Sequence, residues 1–320
     1  MKIIINKRLK YALYMALLSS LVVTLSCKEK KEAEAKTTSE TQLSIDRFNI
    51  PGVGQVETVF IEDESGIVLI DAQRTKSAGK QVIEMIKSKD KELYAVIITH
   101  PHPDHVGGLP TILEAYPNTP VLGTKATKEE MRTDSEGEFY FARKVNGDEY
   151  PTELSLPTQL IKDGETITFG DIKLVVDELG PGEAIDMNVF YSEDLNALFV
   201  GDLMDNNRLG FVLEKRTTPW LKQLDEVLEN YKDRAPMAYP GHGDPEKLEV
   251  LVEEQKKWLN DLRNLVAEKM TIDSELTDAQ VDEIEIAFQK LHPNQIPVAP
   301  IPDMMKLNIK AVAEELALEK

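Results

Sequence analysis

From Gln42 onward the chain alternates short apolar runs with turn residues, and then changes to a helical rhythm near Asp244. Residues 56–61 and 66–70 predict a hairpin turning through Asp63-Glu64-Ser65-Gly66. Residues 77–87 have helical spacing, with Val82, Ile83 and Ile86 on one face. Residues 94–99 (YAVIIT) are continuously apolar until the final threonine, as a strand buried on both faces requires. A loop over 100–108, a helix over 109–116, a short strand at 121–122 and a helix over 125–132 follow. Residues 134–156 read as irregular and polar around Phe139-Tyr140-Phe141. Further strands are expected at 166–169, 172–177, 187–191, 197–200 and 237–239, with an amphipathic helix over 220–231 between the last two.

After Asp244, Leu248, Leu251, Trp258, Leu259, Leu262 and Val266 form one helical stripe suited to core packing. Thr277-Asp278-Ala279-Gln280 is a capping-box sequence opening another helix. A final helix is expected from 307, beyond a proline-rich stretch at 293–302. Strands interleaved with helices predict a layered α/β fold with a C-terminal helical extension. The expected organisation is a signal peptide (1–26), a tether (27–41), a main domain (42–245) and a helical extension packed on it (246–320).

The first 26 residues differ from the rest. Lys2, Lys7, Arg8 and Lys10 precede an apolar run from Tyr11 to Val23, the layout of a secretory signal. The chain's one cysteine, Cys27, follows directly in Thr24-Leu25-Ser26-Cys27. This resembles a bacterial lipoprotein cleavage site, with Leu25 two residues before the cysteine where three is usual. The resemblance implies export, lipidation of Cys27 and anchoring to a bacterial membrane. Residues 28–41 are rich in Lys, Glu, Ala, Thr and Ser and read as a flexible tether.

The 320 residues carry 37 Lys+Arg against 56 Asp+Glu, a net charge of −19. That balance argues against nucleic-acid binding, which needs a basic footprint. One cysteine rules out an internal disulfide and a thiolate zinc cluster within one chain.

The chemistry concentrates in Thr99-His100-Pro101-His102-Pro103-Asp104-His105, which holds three of the chain's five histidines. Imidazole and carboxylate together suit zinc, iron or manganese. Alternate residues of an extended segment share a face, so a kinked loop is needed to splay these side chains between two ions.

This segment resembles the His-x-His-x-Asp-His signature of the metallo-β-lactamase superfamily. Asp202, after the apolar run Ala197-Leu198-Phe199-Val200-Gly201, matches that family's bridging aspartate, and His242 in Tyr239-Pro240-Gly241-His242 matches its final histidine. Asp71 matches a buried aspartate that supports the site. The resemblance implies a four-layer αββα sandwich with two divalent metal ions, zinc first and manganese or iron as alternatives. A histidine normally precedes the strand of the bridging aspartate, but none lies between His105 and His242. Gly180-Pro181-Gly182-Glu183 stands there, similar to the Gly-Glu of alkyl-sulfatase-like members. The implied ligands are then His100, His102 and Glu183 for one ion and Asp104, His105 and His242 for the other, with Asp202 bridging. Asp186 is a fallback for Glu183.

The implied function is hydrolysis by a metal-bridged hydroxide, with Asp104 as the catalytic residue that orients the nucleophile or moves a proton. Sulfate esters, phosphate esters and lactones are the substrates considered, with β-lactams as an alternative. An anionic substrate would need a cation among Arg132, Arg143, Lys144, Arg208 and Arg216. Arg208 is preferred because it follows Asp202 closely. Tyr140, on a segment that could cover the site, and Asn188 are the other candidate substrate contacts. Two other classes compete: an iron-dependent oxidoreductase, marked by an optical spectrum, and a non-enzymatic metal-binding lipoprotein, for which a folded His102→Ala protein would lose no turnover.

Overall fold

Several strands of the computed structural model, which describes residues 42–270 and 276–319, are buried along their whole length. Such strands need cover on both faces. The first sheet runs in the order β1 (Ser44–Phe48), β2 (Thr58–Glu62), β3 (Gly66–Ile70), β4 (Glu92–Ile97), β5 (Val121–Gly123) and β6 (Gln159–Leu160). The first three strands pair antiparallel and the rest parallel. The second sheet combines β7 (Thr166–Phe169), β8 (Ile172–Gly180), β9 (Met187–Ser192), β10 (Ala197–Asp205), β12 (Met237–His242) and β13 (Glu246–Lys247). In that sheet β10 and β12 are parallel neighbours.

Alternation along the strands sorts the core. Val59, Ile61, Val68 and Ile70 point between the sheets, where they meet Leu174, Val176, Phe190 and Phe199. Phe60, Ile67 and Leu69 point outward onto α1 (Lys76–Lys89), through Val82 and Ile86. Between β4 and β6 the chain forms α2 (Pro103–Val106), α3 (Leu109–Ala115), α4 (Lys125–Thr133) and α5 (Glu138–Asn146). Val189, Leu198 and Val200 form the outer face of the second sheet, against Trp220 and Leu224 of α6 (Thr217–Tyr231) and Leu251 of α7 (Leu248–Lys269). The result is the four-layer αββα sandwich that the motifs implied.

The C-terminal helices join the same core. The stripe of α7 is buried as the spacing predicted. Thr277 and Gln280 form the reciprocal capping box at the start of α8 (Asp278–Leu291). Its Val281, Ile284 and Phe288, with Met305, Ile309 and Val312 of α9 (Met304–Leu318), pack against the second sheet's helices. Two short parallel strands, β11 (Arg208–Leu209) and β14 (Ile296–Pro297), tie the proline-rich stretch back to the sandwich.

The irregular reading of 134–156 needs correction. Residues 138–146 form α5, because Phe139 and Ala142 share a buried face. The Asp134 carboxylate also accepts from the amides of Phe139 and Tyr140, satisfying the helix start. β10 runs on to Asp205 rather than stopping at Val200. The signal peptide, Cys27 and the tether lie outside the described residues. No helix among the described residues is long and apolar enough to cross a membrane.

Candidate metal centre

The ends of β4, β8, β10 and β12 meet at one edge of the two sheets, and each delivers part of one cluster. The loop and short helix after β4 carry His100, His102, Asp104 and His105. The turn after β8 carries Glu183, β10 carries Asp202, and β12 ends on His242. All seven are buried.

Two groups form. His100, His102, Glu183 and Asp202 converge on one point, and Asp104, His105 and His242 on another. His102 Nδ1 is 3.3 Å from Glu183 Oε2, and His100 Nε2 is 3.7 Å from Asp202 Oδ2 and 4.0 Å from Glu183 Oε2. In the second group His242 Nε2 is 3.3 Å and His105 Nε2 4.0 Å from Asp104 Oδ2. Asp202 lies between the groups, Oδ1 3.2 Å from His105 Nε2 and Oδ2 3.0 Å from His242 Nε2. Metal–ligand bonds of ~2.0–2.1 Å at tetrahedral angles set ligand atoms about 3.3 Å apart, and these atoms stand 3.0–4.0 Å apart, around that spacing.

The other ring nitrogens fix which atom faces inward. Thr99 Oγ1 donates to Asp71 Oδ2 at 2.8 Å, so His100 Nδ1 donates to Thr99 Oγ1 at 2.8 Å. His105 Nδ1 donates to Asp71 Oδ2 at 2.8 Å, and His242 Nδ1 to the carbonyl of Gln55. His102 is turned the other way: Nε2 donates to Glu214 Oε1 at 3.0 Å and Nδ1 faces the cluster. Each imidazole thus presents one lone pair to the centre, the arrangement in which an outer partner orients a metal-binding ring. Asp71 holds this together from a left-handed backbone (φ 61°) just past β3, from which it also accepts the Thr99 amide. The backbone is close on the other side: a Cβ on Gly241 would run into Asp202 Oδ1.

The inward atoms have no other use. His100 Nε2, His105 Nε2, His242 Nε2, Glu183 Oε2 and Asp202 Oδ1 are buried and make no hydrogen bond. Orphaned buried polar atoms are costly and call for a partner. A pair of divalent cations would supply it, so the donor set and the spacing fit such ions.

Electrostatics agree. Burial alone would push His242 down, but Asp202 and Asp104 outweigh it and hold the ring up at about 10. Burial is likewise outweighed at His105, where Asp202 and Asp71 raise the ring well above its ordinary range. Burial and then the Asp202 charge raise Glu183 well above the usual carboxylate range, and they raise Asp205 to about 8. Burial would raise Asp104 too, but Arg74 and His105 outweigh it and hold the carboxyl well below its ordinary value.

Sequence reasoning missed several residues. Arg74 Nη2 pairs with Asp104 Oδ2 at 2.8 Å; it follows β3 in Asp71-Ala72-Gln73-Arg74 and carries no motif. Glu214 and Glu138 both approach His102 Nε2, and Asp205 lies beside Asp202 and His242. Only the fold brings these together.

The three candidate substrate contacts do not line the cavity beside the cluster. Tyr140 is 68% exposed and points away from the cluster, because the inward residues of α5 come earlier and later in the turn. Asn188 is fully buried and donates to the Thr99 carbonyl at 2.9 Å and to Asp186 at 3.1 Å, so its role is to join the sheets. Arg208 donates to the Gln55 side chain and stands outside the cavity beside the cluster. The fallback Asp186 is bonded to Thr124, Thr127 and Asn188, away from both ligand groups. Of the other cations, Arg132 pairs with Glu129 and Arg143 donates to the Pro151 carbonyl, while Arg216 binds Glu136 at 2.6 Å and also contacts Glu214.

Residues 51–242 match the family profile described as the metallo-beta-lactamase superfamily. A metallo-beta-lactamase type 2 of Bacillus cereus is 27% identical over 191 residues, 58% of this chain and 65% of that protein. The chain thus spans less than two thirds of this relative's length. A metallo-beta-lactamase family protein from Thermus thermophilus superposes with TM-score 0.61 at 20% identity, over 87% of this chain and 93% of that one. A stereoselective inverting sec-alkylsulfatase from Pseudomonas sp. superposes with TM-score 0.59 at 18% identity, over 84% of this chain and 48% of that one. These two likenesses are likenesses of fold. On the profile match, which covers more than half of its length, the chain belongs to the metallo-beta-lactamase superfamily.

Proposed function

We propose that this protein is a metal-dependent hydrolase with a dinuclear centre, acting on an ester-type bond. The reading rests chiefly on one observation: buried, orphaned donor atoms from four strand ends stand at metal-ligand spacing. His100, His102 and Glu183 would hold one divalent ion, Asp104, His105 and His242 the other, and Asp202 both. Zinc suits this nitrogen and oxygen set, and the Glu183 carboxylate also favours manganese or iron. When bound, the ions would polarise the scissile bond and lower the pKa of water.

The chain's own residues supply orientation. Asp104, whose carboxyl Arg74 and His105 hold down against its burial, would accept a hydrogen bond from a nucleophile and orient it. Asp71 and Thr99 lock His105 and His100, and Glu214 locks His102. Replacing Glu183 by alanine should lower the metal content from two ions per chain to about one, measured by elemental mass spectrometry. One ion or none in the parent, unchanged in Glu183→Ala, contradicts the dinuclear reading.

We also infer export and lipid anchoring through Cys27, supported by the basic, apolar and cysteine-terminated order of the first 27 residues. Intact mass of protein from a bacterial membrane fraction should show a chain beginning at acylated Cys27. A soluble, unacylated chain that keeps residues 1–26 refutes it.

A further inference from the structure

The cluster opens on a cavity of about 390 Å³, the size of a small-molecule site. Its walls are largely apolar. Phe141 and Val145 come from α5, Phe211 and Leu213 from the segment after β11, and Val298 and Ile301 from the stretch after β14. Phe141 and Val145 leave 42% and 39% of their surface exposed there, although both are large apolar side chains.

The last wall is a strap from the C-terminal part of the chain, beyond residues 51–242. It is held at three points. Gly54 donates to the Pro297 carbonyl at 3.0 Å, the Val298 amide to the Leu209 carbonyl at 3.1 Å, and Arg74 Nη2 to the Val298 carbonyl at 2.7 Å.

The charges point the same way. Among the described residues lining the cavity, Arg74 is the one Lys or Arg, and its guanidinium is committed to Asp104, Gly54 and Val298. Glu136, Glu138 and Glu214 also line the cavity, Glu136 and Glu214 paired with Arg216. A sulfate or phosphate ester, or a β-lactam bearing a carboxylate, finds no free side-chain cation in this lining, so its charge would rest on the proposed ions alone, whereas an uncharged group suits the apolar walls.

We propose that the substrate is an uncharged carboxylic ester or lactone whose aliphatic chain lies in this cavity against the strap. This deepens the hydrolase reading and rests on it for its chemistry. Water oxygen bonds to the acyl carbon and the bond from that carbon to the alkoxy oxygen breaks. One water proton goes to the departing oxygen and the acid's proton to solvent, leaving an alcohol and a carboxylate.

The test separates binding from turnover. Calorimetric titration of the metal-loaded full-length protein should show hexanamide binding about tenfold more tightly than butanamide, since each methylene adds roughly three- to fourfold. Hexyl sulfate should bind more weakly than hexanamide. Ala299→Trp, which fills the strap side, should weaken hexanamide at least tenfold with metal content unchanged. Val145→Trp, at a position 39% exposed, should do the same from the helix side. Hexyl sulfate binding as tightly as hexanamide, or hexanamide affinity unmoved by both substitutions, overturns the proposal. 4-Nitrophenyl hexanoate is then offered to the same protein. Turnover that falls in both variants supports both readings. Hexanamide binding as expected with no turnover of any ester upholds the pocket and sinks the hydrolase.

Discussion

At the residue scale, the proposed centre is oriented by side chains outside its seven proposed ligands. Glu214 is the sharpest case, because it takes the hydrogen bond from His102 Nε2 that leaves Nδ1 facing inward, with Glu138 3.5 Å from the same nitrogen. Glu214→Ala should weaken metal binding at the Glu183 side by about 10- to 100-fold, as loss of an outer ligand partner does elsewhere. The Asp104 side should be unchanged, and competition with a chromophoric chelator would resolve the two steps. Equal weakening of both steps would mean that Glu214 acts through general stability. The seven proposed ligands were legible in the sequence because their spacing in 100–105 and their places after apolar runs carry a specific pattern. Arg74, Glu138 and Glu214 were not, since each reaches the site from a loop or helix that only tertiary packing brings near. Arg208 misled for the converse reason: six residues from Asp202, it lies past the end of β10, beyond the cavity.

At the scale of elements, hydrophobic rhythm predicted the buried strands and the long helices, because burial on one or both faces writes a period into the sequence, but not the edge strand β1 or the two-residue strands β6, β11, β13 and β14, too exposed or too short to carry one. It failed at α5, where Phe139-Tyr140-Phe141 hides a helical period inside an aromatic cluster. Alternate faces of that helix serve the core (Phe139, Ala142), the cavity (Phe141, Val145) and solvent (Tyr140). The stripe on α7 is core, as its spacing suggested. Leu251 is fully buried between α7 and the second sheet. Leu251→Ala should cost ~2–5 kcal/mol by denaturant unfolding, the range for a cavity left by a buried leucine. A loss below about 1 kcal/mol would mean that the outer layer is loosely packed.

At the scale of the molecule, the two sheets bring four strand ends to one edge, and the C-terminal segment closes the space beside them. Residues 51–242 supply the proposed ligands, while the strap over 296–301 supplies one wall of the cavity. The proline-rich stretch reads in sequence as a separator between helices; its pairing with β11 and Arg74 gives it a place at the site that no local pattern encodes. In the proposed hydrolase two ions would share this edge, one with Glu183 and one with Asp104, with Asp202 a ligand to both. Anomalous diffraction at the absorption edge of the bound metal tests it most directly. Two peaks are expected, one within bonding distance of His100, His102 and Glu183, the other of Asp104, His105 and His242, both touching Asp202. A single peak, or two peaks with Glu183 bound to neither, would contradict it.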